Sequence, residues 1–110
     1  MDGRAKRIGL NEAVFREVNE RVRAINDEFG ARLDTAEFVC ECGETSCTER
    51  IRLSLSEYEA VRAEPTHFAI KDGHEIPDVE DVVERCDGYI VVAKKAGDPA
   101  ELARSVDPRA

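Results

Sequence analysis

The chain has no tryptophan, a single methionine, two histidines and only 5% aromatic residues in 110. A core built around large rings is therefore excluded. With four Phe, two Tyr and five leucines (Leu10, Leu33, Leu53, Leu55, Leu102), valine and isoleucine must carry much of the interior. One domain of this length can bury roughly two-thirds of its unfolded surface, and a metal staple would compensate for so thin a core. No apolar run approaches the ~20 residues of a membrane-spanning helix. The charged start, with Arg4, Lys6 and Arg7, is not followed by the apolar stretch of a secretory signal. A cytoplasmic location is the expectation. Glycine-rich nucleotide loops, catalytic triads and nucleic-acid motifs are all missing. Positive charge is also scarce: 16 Lys and Arg against 24 Asp and Glu leave a net charge of −8. That balance repels phosphate backbones and disfavours a nucleic-acid partner, although Arg16, Arg21 and Arg23 offer a local basic face. A protein partner with a basic surface suits the acidic balance better.

Against this sparse background, three of the four cysteines fall within eight residues, Cys40-Glu41-Cys42-Gly43-Glu44-Thr45-Ser46-Cys47. In a reducing compartment a C-x-C-x4-C cluster reads as a metal or redox site rather than a disulfide framework. A bridge between Cys40 and Cys42 would also be strained. Gly43 supplies freedom for a turn between ligands. Three thiolates can occupy one face of a tetrahedral zinc, which needs a fourth ligand. His74, Cys86 and His67 are the candidates. His74 follows Gly73 in a loop, where its ring is free to be aimed across the domain, and Glu75 or a carbonyl would orient its other nitrogen. Cys86 would make an all-cysteine site but also suits a small apolar position at a strand end. His67 lies inside a strand-like run and is the weakest choice.

The rest of the chain predicts an α+β fold, with a long N-terminal amphipathic helix packed on a small antiparallel sheet with β-hairpins and stapled by the metal. Residues 1–10 read as a flexible lead-in, 11–97 as one zinc-stapled domain, and 98–110 as a tail with a short helix or a frayed end. Asn11 is placed as an N-cap. Val14, Val18, Val22, Ile25 and Phe29 recur at helical spacing, with Phe15 widening the stripe, and Gly30 is placed to end the helix. This stripe is expected to pack on the domain's own sheet; a helix-to-helix dimer seam is the alternative, leaving a monomer or a homodimer. Ala36–Cys40 and the alternating Arg50–Leu55 predict two strands whose connecting turn is the cysteine loop. Ser56 and Glu59 have capping-box spacing for a short helix closed by Pro65, with Tyr58 and Val61 facing inward. A brief strand over His67–Ile70 precedes a turn at Lys71-Asp72-Gly73. Asp87-Gly88, between Val82–Cys86 and Tyr89–Ala93, marks a type I′ hairpin with Cys86 opposite Tyr89. Glu75, Asp78, Glu80 and Asp81 read as a solvated acid run, since no calcium-loop spacing is present.

Several phrases carry a resemblance: Phe15-Arg16-Glu17-Val18-Asn19-Glu20-Arg21, Phe38-Val39-Cys40-Glu41-Cys42, Cys47-Thr48-Glu49-Arg50-Ile51, Glu57-Tyr58-Glu59-Ala60-Val61-Arg62, Gly73-His74-Glu75 and Asp107-Pro108-Arg109. In these the chain resembles a group of short bacterial proteins, chiefly actinobacterial, over most of its length from Asn11 onward. The resemblance implies that Gly73-His74-Glu75 belongs to a shared pattern, which favours His74 over Cys86, and it implies no activity.

Function then falls into three classes. A closed site of three cysteines and one histidine, or of four cysteines, contributes to folding and leaves no coordination position for substrate. Such a site points to a protein-interaction or regulatory module. A thiol-based redox or metal sensor is the alternative, as is an iron–sulfur protein, although the spacing matches neither ferredoxin run. Glu41 and Glu44 beside the sulfurs would raise their pKa and slow oxidation. Catalysis would need an open, water-bearing ion, and three thiolates make such a water a poor acid. No catalytic residue is assigned.

Overall fold

The computed structural model describes residues 3–28 and 35–109. In chain order it contains helix α1 (Gly3–Glu28), strands β1 (Ala36–Val39) and β2 (Arg50–Leu53), helix α2 (Leu55–Arg62), strands β3 (His67–Ile70), β4 (Glu80–Cys86) and β5 (Tyr89–Lys94), and helix α3 (Asp98–Ser105). The fold is α+β, as expected, with one long helix and two small antiparallel sheets.

The first sheet is the β1–β2 hairpin, paired from Ala36 with Leu53 to Val39 with Arg50. Period-2 alternation turns Phe38, Ile51 and Leu53 inward and leaves Glu37 and Arg52 outside, where they form an exposed ion pair. The second sheet has the order β3-β5-β4. Its central strand is covered on both faces, which explains the unbroken buried run Tyr89-Ile90-Val91-Val92. One face, with Ala69, Tyr89 and Val91, packs on the first hairpin and α2; Phe38 and Tyr58 stack there at 4.4 Å between ring centroids. The other face, with Phe68, Ile70, Ile90 and Val92, packs on Cys40, Cys42 and Ala103 of α3.

Three local expectations need correction. Helix α2 is capped by Ser54 rather than Ser56. The Ser54 hydroxyl accepts from Glu57 N and Glu57 Oε1 accepts from Ser54 N, a complete capping box that starts the helix earlier. Cys86 does pair with Tyr89, but only Gly88 of the turn has positive φ (85°). That is the pattern of a type II turn rather than type I′. Glu80 is not a solvated acid: it is 2% exposed and bonded to the buried Lys94 ammonium at 3.1 Å.

The largest correction concerns α1. It is helical from Gly3, so Asn11 is no N-cap, and over residues 3–10 the loose lead-in is not found: Ile8 and Gly9 are buried. Its predicted apolar stripe points mostly outward, with Val14 59%, Val18 42% and Ile25 54% exposed, while Val22 reaches the core edge and Phe15 is half-buried. The buried face is Ile8, Gly9, Glu12, Arg16 and Asn19. These polar groups are tolerated because each meets a partner from a distant part of the chain. Glu12 Oε1 accepts from Lys94 Nζ at 2.7 Å. Arg16 donates to the Pro65 carbonyl at 2.7 Å and lies over the Phe68 ring. Arg16 is therefore lost to any basic surface face. Phe29 and Gly30, expected to end the helix, lie outside the described residues.

The short helix expected in the C-terminal segment is found as α3, and residues 107–109 beyond it are tied down rather than frayed. Asp107 pairs with the buried Arg62 guanidinium. Arg109 bonds both Glu20 oxygens and both Glu59 oxygens, at 2.8–2.9 Å.

Candidate metal centre

The site is built where β1 runs out of its hairpin and crosses to the second sheet. Cys40 N still bonds Glu49 O of the first hairpin's far arm (3.1 Å), whereas Glu41 N bonds Ala69 O of β3 (2.9 Å). The backbone is extended between these anchors, so alternation sends Cys40 and Cys42 to one side and Glu41 to the other. This is the physical meaning of the C-x-C spacing here. Both sulfurs enter the buried cluster under Phe68, Ile70 and Ile90, each cysteine 1% exposed.

Glu41 goes into the opposite core. Its carboxylate accepts from Tyr58 Oη at 2.7 Å, Asn19 Nδ2 at 3.0 Å and Ala69 N at 3.1 Å, with Arg16 Nε at 3.9 Å. Asn19 does a second job. Its amide exchanges two 2.8 Å hydrogen bonds with the backbone of Val39, pairing with the strand as another strand would. The polar face of α1 thus fixes the segment that carries the first two cysteines. Glu41, Asn19, Tyr58 and Arg16 are functional supports that sequence reading missed. The spacing of Glu12, Arg16 and Asn19 at intervals of four and three was the available signal.

After Cys42 the chain turns under α1. Gly43 has no positive φ, so its need is space rather than torsional freedom: a Cβ there would stand 2.5 Å from Ile8 Cγ2. Asn11 Nδ2 donates to the Gly43 carbonyl at 3.0 Å. The turn from Glu44 to Cys47 is closed by a 3.0 Å backbone bond and returns the third sulfur to the first two.

The fourth group comes from the turn after β3. Gly73, at φ 92°, lets the chain double back, and His74 N bonds Lys71 O at 3.0 Å. The same turn serves the sulfurs, since Lys71 N donates to Cys40 Sγ at 3.1 Å. His74 Nδ1 then lies 3.6 Å from Cys40 Sγ and 3.6 Å from Cys47 Sγ. The candidate ligand atoms of Cys40, Cys42, Cys47 and His74 all fall within 4.8 Å of one another, a group able to hold one metal ion.

Cys86 and His67 are not part of this group. They share a separate small cleft with Glu57, Glu84 and Tyr89 beside the β4–β5 hairpin. All four cysteines are free thiols.

Each clustered sulfur has one backbone amide directed at it: Lys71 N–H at Cys40, Glu44 N–H at Cys42 and Glu49 N–H at Cys47. Amide donors favour the thiolate form. As thiols the three share protons unequally. A hydrogen bond from the Cys40 thiol draws Cys42 down to about 5, against the opposing effect of burial. Cys40 is pushed up, by that same bond and then by burial, and burial also raises Cys47. The expectation that the Glu41 and Glu44 carboxylates would raise the sulfurs is not met: Cys42 is lowered, Cys40 is raised chiefly by its bond to Cys42 and by burial, and Cys47 chiefly by burial. Glu41 faces away, and Glu44 presents its amide to the sulfur while its carboxylate accepts from Ser46 Oγ.

Comparison of the chain with family models, curated proteins and solved structures gives no match. Among the described residues no helix is long and apolar enough to cross a membrane.

Proposed function

We propose that the protein carries a structural zinc ion bound by Cys40, Cys42, Cys47 and His74 Nδ1, and that it serves as a small interaction or regulatory module. The observation that carries this reading is the placement of His74 Nδ1 at 3.6 Å from two sulfurs. Zinc–sulfur and zinc–nitrogen bonds of about 2.3 and 2.0–2.1 Å at the tetrahedral angle put S and N about 3.6 Å apart. Three further facts support it. The four donors come from two loops, both closed by hydrogen bonds independent of the sulfurs. Every thiolate has an amide donor to spread its charge. Cys40 and Cys42 are buried among aliphatic side chains, which exclude water from that side of the site.

Four protein ligands close the coordination sphere, so the ion's contribution is to folding rather than to chemistry. It clamps the first hairpin to the turn after β3, joining two sheets that share no strand pairing. Zinc fits the donor set better than harder cations, because soft thiolates and imidazole discriminate against magnesium and calcium. The acidic balance of the chain, at net charge −8, suits a basic protein partner.

Zinc titration of the chelator-stripped protein tests the ligand set. His74→Ala should weaken zinc binding at least ~10-fold, within the range for loss of a coordinating or orienting group. Cys86→Ala should leave it unchanged. Unchanged affinity in His74→Ala, or loss in Cys86→Ala, would refute this assignment.

A further inference from the structure

Among the described residues most of the apolar face of α1 is left uncovered: Val22 reaches the core edge and Val106 and Pro108 flank the Leu10–Val14 end, but the rest is open. Of the five large hydrophobic side chains exposed among the described residues, four lie on this helix: Leu10, Val14, Val18 and Ile25. Leu10, Val14, Val18 and Val22 follow one another at intervals of four. They form one of the oblique ridges by which helices pack. The next row, Ala13, Glu17, Arg21 and Ile25, runs parallel to it; one shallow groove lies between the two rows, and a second at the Leu10–Val14 end is shared with Val106 and Pro108. A ridge of branched side chains beside a groove of the same pitch is the surface that packs on a copy of itself, with the helices crossing at about −50°.

The charges on this face point to the same occupant. Glu17 and Arg21 are the charged residues lining the groove between Val14 and Ile25. Neither has an ion-pair or hydrogen-bond partner among the described residues, in contrast to Glu20 and Arg23 on the same helix. They stand symmetrically about position 19. A two-fold axis through that point sets Glu17 of each copy against Arg21 of the other, giving two identical ion pairs around a valine contact. A merely basic partner would satisfy Glu17 and repel Arg21.

We propose that α1 is a homodimer interface, in which two copies pack their Leu10–Val14–Val18–Val22 ridges across a two-fold axis with reciprocal Glu17–Arg21 pairs. The contact is separate from the metal centre, since Asn19, which holds the strand that carries Cys40 and Cys42, is on the opposite, buried face of α1.

Sedimentation equilibrium of the full chain over a concentration series tests this. The expected species at the upper end is twice the 12.3 kDa chain. Val18→Glu should raise the dimer dissociation constant at least ~10-fold, an energetic change of about 1.4 kcal/mol. Its circular dichroism melt at a concentration where the parent is monomeric should match the parent's, because Val18 supports no core. Glu17→Arg and Arg21→Glu should each weaken self-association, and an equimolar mixture of these two variants should recover it, because their groove charges are opposite. A chain that stays monomeric throughout leaves the face to some other partner and overturns the proposal. A dimer indifferent to Val18→Glu, or a mixture of the charge variants that does not associate, overturns it equally.

Discussion

At the level of single residues, the centre depends on two glycines for different reasons. Gly43 is needed for space beneath Ile8, Gly73 for its backbone torsion. Gly73 takes positive φ with nothing within 4 Å of a notional Cβ, so a side chain there costs backbone strain alone, roughly 1–2 kcal/mol. That strain acts on the turn that aims His74 and presents Lys71 N to Cys40. With the unloaded turn free to relax and the loaded one held at positive φ, the strain falls on binding: Gly73→Ala should weaken zinc affinity roughly tenfold while the unloaded protein melts within a few degrees of the parent, measured by titration and calorimetry. Equal affinity would mean that the turn does not position the imidazole. The cysteine cluster and His74 are legible in the sequence because soft ligands are so few. The position of Glu41 is not, because nearness along the chain is not nearness in space: an extended backbone sends neighbours to opposite faces.

Among the elements, strands are easier to read than helices. His67–Ile70 and both hairpins fall where expected: alternation marks Arg50–Leu53, a two-residue turn joins β4 to β5, and the strands of each hairpin are neighbours in sequence. Helix α1 shows why its burial is harder. It carries two stripes at helical spacing, one apolar and one polar, and the polar stripe is buried because Lys94, Pro65, Val39 and Glu41 come from far away to meet it. No local pattern announces such partners. The arrangement has a measurable consequence at Glu12. Burial, and then the Glu80 carboxylate nearby, overcome the attraction of Lys94 and raise Glu12 from 4.5 to about 8. Between those values the folded chain holds a proton that the unfolded chain has released. This group's contribution to stability is thus full below pH 4.5 and is lost as pH rises toward 8, by at most ~1.4 kcal/mol per pH unit. Denaturant melts at several pH values should show Glu12→Gln losing less stability than the parent over that window. Parallel curves would show that Glu12 is ionised in the fold.

For the whole molecule, ionic contacts, and on the proposed reading a metal, hold together what a small core alone would not. Arg62 at the end of α2 is fully buried and bonded to Glu20 and Asp107, which ties the C-terminal segment to α1. Asp107→Ala removes one of the two counterions of that guanidinium and leaves Glu20 in place, so the loss is that of a charged hydrogen bond, about 1.5–3 kcal/mol. The variant should melt several degrees below the parent by calorimetry, and an unchanged melt would show that the Asp107–Arg62 pair adds nothing to the fold. Nothing in the sequence foretells this network, since Asp107-Pro108-Arg109 has the composition of an ordinary frayed end. Its acids also set the lower limit of pH stability. Burial opposes ionisation of Glu20 and Asp107, but hydrogen bonds from Arg109 and Arg62 hold both below their usual range. Their contribution is present at neutral pH and is lost as pH falls below about 4.

The remaining clamp is the metal, and everything proposed for the centre rests on its presence. Elemental analysis of protein purified without added metal and under low oxygen, taken together with the visible absorption spectrum, is the most direct test. About one zinc per chain and no visible absorbance is the expected result. Iron with visible bands would move the protein to an iron–sulfur or sensing role, and the absence of any bound metal would contradict the structural centre outright.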